Sequence, residues 1–198
     1  MNIADYGAVI ISLSGGKDSQ VCMDVIHSEA KRVHYSGELM AIHADTGGEW
    51  PQTSDHCRYL AAAYGIKLRI VQPGRLLPDM IEARCRRLQL EGRKGGWPSA
   101  ACRYCTSDCK RNPIQKEIRH LFDNKQPNKV LMVTGERREE SPRRAKYEEL
   151  IPVTALRAGR REVLNWRPIL DYPVGQVWST ITTSGSSVMS PTTTATND

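Results

Sequence analysis

The chain has 198 residues and a formal net charge of +6, enough length for one buried core and little more. No run approaches the roughly 20 apolar residues of a membrane span, and residues 1–6 lack the basic start of a secretory leader. A cytoplasmic setting without a membrane partner is expected, where the six cysteines point to thiols or a metal site rather than disulfides.

The first element is a buried strand over residues 8–13, short, β-branched and uncharged. The chain then turns through Ser14-Gly15-Gly16-Lys17-Asp18-Ser19 into a helix whose buried face holds Val21, Val25 and Ile26. A second strand spans residues 38–44 and ends at Asp45-Thr46-Gly47-Gly48-Glu49. Pro51 can open the next helix, which continues over residues 53–64 and stops at Gly65. A third strand covers residues 67–71, and residues 76–90 form an arginine-studded helix. Residues 92–112 read as irregular, with a short helix over 114–122 opened by Pro113. A strong fourth strand, residues 129–134, runs straight into Gly135. Beyond it lie a charged loop, strands over residues 149–154 and 163–166, and a helix over 174–181.

From Thr182 the composition collapses to Ser, Thr, Gly and Pro, so residues 182–198 are expected to be a disordered tail. The strand–helix alternation implies an α/β fold, a doubly wound parallel sheet with helices on both faces. Ligands in such sheets bind beyond the carboxyl ends of the strands, where the Gly-Gly turn, Asp45 and Gly135 all fall.

The turn after the first strand has the chemistry of a phosphate cradle. Glycine allows close backbone approach to an anion, and free N–H groups at a helix start point toward it. Ser14 and Ser19 add hydroxyls, Lys17 a cation, and Asp18 an anchor for Mg²⁺ bridging to the phosphates. The G-x-x-x-x-G-K-[ST] spacing of a Walker A loop is absent. At the second strand end, Asp45, Thr46 and Gly47 supply a carboxylate, a hydroxyl and a tight turn. At the fourth, Arg137 and Arg144 can clamp oxyanions, with Glu140 and Ser141 orienting them. The basic surplus clusters at Arg84, Arg86, Arg87, Arg93 and Lys94 and again at Arg103, Lys110 and Arg111, which suits an anionic partner.

The six residues 14–19 resemble the pyrophosphate loop of the PP-loop adenine-nucleotide α-hydrolase superfamily. Together with Asp45-Thr46-Gly47, the pattern Gly135…Arg137…Glu140-Ser141…Arg144 and the later Arg167-Pro168-Ile169…Val177-Trp178, they resemble the phosphoadenosine phosphosulfate reductase family. Broadly drawn, that family includes the small subunit of ATP sulfurylase and the PP-loop component of DNA phosphorothioation systems. The resemblance covers residues 8–181 and implies one nucleotide-binding domain over 1–181, with a cysteine-containing insertion at 92–112. It places Asp45-Thr46-Gly47 beside the adenine and ribose. It also implies that Cys105-Thr106 with Lys110 contributes to substrate or cluster binding.

Cys102, Cys105 and Cys109 could hold Zn²⁺ or an iron–sulfur cluster if a fourth ligand joined them. Iron–sulfur relatives carry a further Cys-x-x-Cys beyond the position where this chain ends, so truncation is a live expectation. Three readings follow. The first is ATP cleavage between the α- and β-phosphates, with Lys17, Asp18 and Arg137 catalytic, and with a partner subunit or a nucleic acid among the candidate acceptors. The second is thiol-dependent reduction of phosphoadenosine phosphosulfate. The third is a truncated, inactive nucleotide-binding module.

Overall fold

The computed structural model describes residues 1–122 and 126–184. Strands β1 (Ala8–Ser12), β2 (Glu38–Ala44), β3 (Lys67–Val71), β4 (Lys129–Val133), β5 (Leu150–Pro152) and β6 (Glu162–Trp166) make one sheet in the order β3-β2-β1-β4-β6-β5. All neighbours are parallel except β5, which runs antiparallel to β6 at the edge. That edge departs from the all-parallel expectation for a physical reason. Residues 153–161 are too few for the helical crossover that parallel neighbours need, so the chain doubles back.

Alternate residues of the central strands feed two cores. Val9, Ile11, Ala41, Leu131 and Val133 pack against α1 (Lys17–Arg32), α2 (Thr53–Ala63) and α6 (Val174–Ser184). Ala8, Ile10, Met40, Ile42 and Val130 face the other way, toward Ile114, Ile118 and Phe122 of α5 (Asn112–Phe122). Each large apolar side chain so buried contributes roughly 1.5–3 kcal/mol, which is why uncharged runs define these strands. The sheet order reverses between β1 and β4. Their carboxyl ends open the crevice where doubly wound sheets bind ligands.

Two expected boundaries move. The 92–112 segment is irregular only to Arg103. Helix α4 (Tyr104–Thr106) then passes through a π turn, Ser107–Arg111, directly into α5. Pro113 therefore sits in the first turn after a wide loop of helix, where its missing N–H is tolerated. At the other end, α6 runs past Ile181 to Ser184. Thr180, Thr182 and Thr183 hydroxyls donate to the carbonyls of Gln176, Trp178 and Ser179 at 2.9–3.0 Å, each satisfied on the preceding turn of the helix. The rest of the expected tail, residues 185–198, lies outside the described residues. The long basic helix of the sequence is α3 (Leu77–Leu90), and its only buried residue is Leu88. Among the described residues no helix is long and apolar enough to cross a membrane.

Candidate functional site

The loop between β1 and α1 is built by its own side chains. Ser19 Oγ donates to the Gly16 carbonyl at 2.8 Å and accepts the Ser14 N–H at 3.1 Å, closing the turn. Gly15 takes φ +78°, and a Cβ there would meet Thr53 Cγ2 at 3.1 Å and Cys57 Sγ at 3.4 Å. Glycine is thus required both by conformation and by the nearby start of α2. Gly16 caps α1 without a side chain, and the Lys17, Asp18 and Ser19 N–H groups have no hydrogen-bond partner among the described residues. Unsatisfied donors at the positive end of a 16-residue helix make an anion site.

Beside these donors sits a charge triangle. Asp18 accepts from Lys17 Nζ at 2.8 Å through one oxygen and from Arg137 Nε at 2.6 Å through the other. The Arg137 side chain is only 5% exposed, and its Nη1 donates to Glu139 at 3.0 Å and to the Tyr172 carbonyl at 3.4 Å. Burial disfavours its cation, but Asp18 and its acidic neighbours outweigh that cost and raise its pKa. The loop after β4 reaches this position because Gly135 lies directly on the first turn of α1. A Cβ on Gly135 would fall 2.7 Å from the Asp18 carbonyl oxygen and 2.9 Å from the Ser19 nitrogen, both backbone atoms.

The other expected clamp residues shape that loop. Glu140 accepts the Arg137 N–H at 2.7 Å and pairs with Arg144, while Ser141 Oγ accepts the Arg144 N–H at 3.2 Å. Arg144 is thereby engaged by Glu140, and Arg137 by Asp18 and Glu139. Glu139 also accepts the Val174 N–H at 3.0 Å at the start of α6, so one carboxylate ties the loop to that helix.

At the end of β2, Asp45 accepts from the Gly47 N–H and from Gln72 Nε2, each at 3.0 Å, and the Gln72 bond leads in lowering its pKa. Thr46 is fully buried, and its N–H and hydroxyl both donate to Glu49. Glu49, absent from the residues singled out by sequence, also meets Lys110 Nζ at 3.1 Å. Burial pushes the Glu49 carboxyl up, but the Thr46 hydroxyl and Lys110 together hold it below the usual range. The Asp45–Glu49 loop is thus latched to the π turn. A hydroxyl three residues before a carboxylate, as in a capping box, was the sequence signal for this latch.

Arg167, buried at the end of β6, was also left out of the site residues. Its Nε donates to Glu136 at 2.6 Å, its Nη1 to the Glu148 carbonyl at 2.7 Å, and its guanidinium lies 4.6 Å over the Tyr147 ring. These groups floor a cleft of about 950 Å³ whose opposite wall is the Ala101–Ser107 stretch and Arg111.

The expected thiol metal site is not assembled. Among the described residues no three His, Cys, Asp or Glu side chains are grouped to hold a metal ion. Cys109 is buried with its Sγ 3.5 Å from Met80 Sδ, whereas Cys102 takes a 3.3 Å bond from Arg84 in the cleft wall. The π turn separates their environments by turning Cys109 inward while Cys102 stays before the helix. Burial raises the thiol pKa of Cys109, and pushes that of Cys57 up to about 12, so neither supplies a ready thiolate.

Comparison with solved structures finds the same fold at low sequence identity. It is similar to phosphoadenylyl-sulfate (PAPS) reductase from Candida auris, a phosphate complex, at 19% identity and TM-score 0.57, covering 91% of this chain and 74% of that one. It is similar to the U34-tRNA thiolase NcsA from Methanococcus maripaludis with its 4Fe–4S cluster, at 17% identity and TM-score 0.61, covering 96% and 61%. A third likeness is to Candida glabrata FMN adenylyltransferase in complex with FAD and inorganic pyrophosphate, at 12% identity and TM-score 0.56, covering 90% and 51%. At such identities the likeness shows the fold alone, and the chain spans about half to three quarters of these proteins. No curated protein matches the sequence. The sequence model of the phosphoadenosine phosphosulfate reductase domain matches residues 8–190, nearly the whole chain and every strand end described above, and the protein belongs to that family.

Proposed function

We propose that the chain binds ATP at the end of β1 and cleaves it between the α- and β-phosphates, passing the adenylyl group to an acceptor. The observation that carries this reading is the uncapped first turn of α1 lying beside Lys17 and Arg137, two cations that share the single carboxylate of Asp18. A phosphate chain would satisfy the free N–H groups and draw the Lys17 ammonium from Asp18. An acceptor oxyanion then attacks the α-phosphorus, the bond to the bridging oxygen breaks, and pyrophosphate leaves with the electron pair. Lys17 and the loop amides neutralise charge growing on the leaving group, so this chain's contribution is positioning and electrostatics. Arg137 acts by holding Asp18 and the β4 loop in register.

Magnesium fits this site. The ion takes one or two protein carboxylates and completes its shell with phosphates and water, and the Asp18 oxygen paired with Lys17 would hold it once that ammonium turns to the phosphates. Bound there, it would add positive charge at the phosphate oxygens. The thiols do not fit a zinc or iron–sulfur centre as they stand, and no step runs through one. The family match supports a place in sulfur-related or nucleic-acid-modification metabolism, and a cytoplasmic location belongs to the same proposal.

A second reading has one observation in its favour. Cys102 lines the cleft, and Arg84 Nη2 lies 3.3 Å from its sulfur. In that reading Cys102 attacks the sulfonyl sulfur of phosphoadenosine phosphosulfate, and the sulfur–oxygen bond breaks with adenosine bisphosphate leaving. A thiol reductant would then release sulfite. Product analysis of paired incubations decides between them, one with Mg-ATP and one with phosphoadenosine phosphosulfate plus dithiothreitol. Pyrophosphate and AMP in the first, with water taking the place of the acceptor, are the expected result. Sulfite in the second without AMP in the first would replace the ATP reading, and ATP bound without turnover in either tube would contradict both.

A further inference from the structure

The cleft beside the nucleotide loop has an unbalanced charge that the cleavage reaction does not use. Arg103 and Arg111 line one wall, Arg143 and Lys146 the other, and all are exposed. Arg111, Arg143 and Lys146 make no side-chain ion pair or hydrogen bond among the described residues, and Arg103 makes only a 3.5 Å contact to Thr106. Glu136 is already spent on Arg167, which leaves Glu148 as the only unpaired acid of this lining. Cations held apart on facing walls, with almost nothing to neutralise them, await an anion that touches both.

The hollow does not end there. Tyr104 lines it and also a second hollow of about 290 Å³ with Arg75, Arg84 and Arg87. Arg75 also borders a third hollow, of about 330 Å³, whose charges balance: Asp79 and Glu82 lie there, and Arg86 is paired with Glu82 at 2.7 Å. The unbalanced cations therefore lie in the first cleft and, beside Asp108, in the second hollow, which share Tyr104 and extend a basic surface from the β4 loop to α3. An exposed aromatic follows in the chain. Tyr104 donates to the Gly96 carbonyl at 2.6 Å, and Trp97, the next residue after Gly96, has 71% of its surface exposed. A positive track with an exposed indole is the arrangement that binds a single strand, the cations following phosphates and the ring stacking on a base.

We propose that this path binds a single-stranded nucleic acid and thereby supplies the acceptor of the adenylyl transfer. The acceptor role rests on the ATP reading, whereas the binding itself does not.

The test is fluorescence anisotropy of the full chain, without nucleotide, against labelled 20-nucleotide single strands of RNA and of DNA, over a range of salt concentrations. Binding whose logarithm falls with log salt at a slope of about −2 or steeper is expected, since single strands give about −0.7 per neutralised phosphate. The pair Arg143→Ser with Lys146→Ser is expected to flatten the slope and weaken binding roughly tenfold or more. Trp97→Ala is expected to cost roughly tenfold with the slope unchanged. The RNA and DNA arms tell the source of the strand. Overturning results are no binding of either strand, or binding that none of these variants changes. Equal dependence on these residues for duplex DNA also overturns it, as does competition by inorganic phosphate alone, which would make the cleft a small-anion site. Production of AMP from ATP by the parent chain is measured separately, so either claim can fail while the other stands.

Discussion

The variant Lys17→Ala is expected to lower AMP release from ATP by about 10²–10³-fold, the usual scale for removing one preorganised charge-stabilising group. Its stability should be unchanged or slightly increased. The Lys17 side chain is 28% exposed, and its one pairing, to Asp18 at 2.8 Å, is of the partly solvated kind worth ~1 kcal/mol or less. A cation in the first turn of a helix also opposes the helix dipole, and alanine is the better helix former, so its loss offsets the lost pair. Turnover assays beside thermal denaturation separate these effects. A variant that cleaves ATP like the parent would remove Lys17 from the cradle.

The opposite pattern is expected one loop away. Arg137→Ala should cost stability of about 2–4 kcal/mol as well as activity, because the nearly buried guanidinium joins Asp18, Glu139 and the Tyr172 carbonyl. Its removal leaves Asp18 with Lys17 alone and cuts one of the links between the β4 loop and the segment leading into α6, the bond to the Tyr172 carbonyl. Arg137→Lys keeps the charge but cannot reach two carboxylates with one planar fork, so it should fall between parent and alanine. Urea titrations measure the difference. An alanine variant as stable as the parent would mean that Glu139 and the loop backbone hold this region without the guanidinium.

These two outcomes separate what the sequence makes legible from what it hides. The cradle is local. An apolar run, two glycines and flanking hydroxyls lie within residues 8–19, and the structure assembles them as a turn closed by Ser14 and Ser19. The strand ends at Asp45 and Gly135 are legible for the same reason, since buried strands announce themselves by composition. The Asp18–Arg137 contact is not local, spanning a sequence separation of 119. Nothing in a charged loop tells which carboxylate its arginine will meet. Arg137 and Arg144 read as clamps for a ligand, and the structure adds the carboxylate each one meets, Asp18 for Arg137 and Glu140 for Arg144.

Helix boundaries failed where periodicity fails. The π turn at Ser107–Arg111 breaks the 3.6-residue repeat just where charged residues and cysteines already obscure it, so Tyr104–Phe122 read as a loop and a short helix. The three cysteines made a tight spacing on paper. The same π turn sends Cys109 into the core beside Met80 and leaves Cys102 in the cleft wall. At the end of α6, the helix runs through a composition that suggested its end, with the threonine hydroxyls bonded to preceding carbonyls.

The central claim is that a nucleotide phosphate chain rests on the first turn of α1, and backbone amide hydrogen exchange with and without Mg-ATP tests it most directly. Slowed exchange at Gly15, Gly16, Lys17, Asp18 and Ser19, with a smaller effect over residues 135–144, is the expected result. Slowing confined to another part of the chain, with residues 14–19 exchanging as before, would contradict the cradle and the reaction built on it.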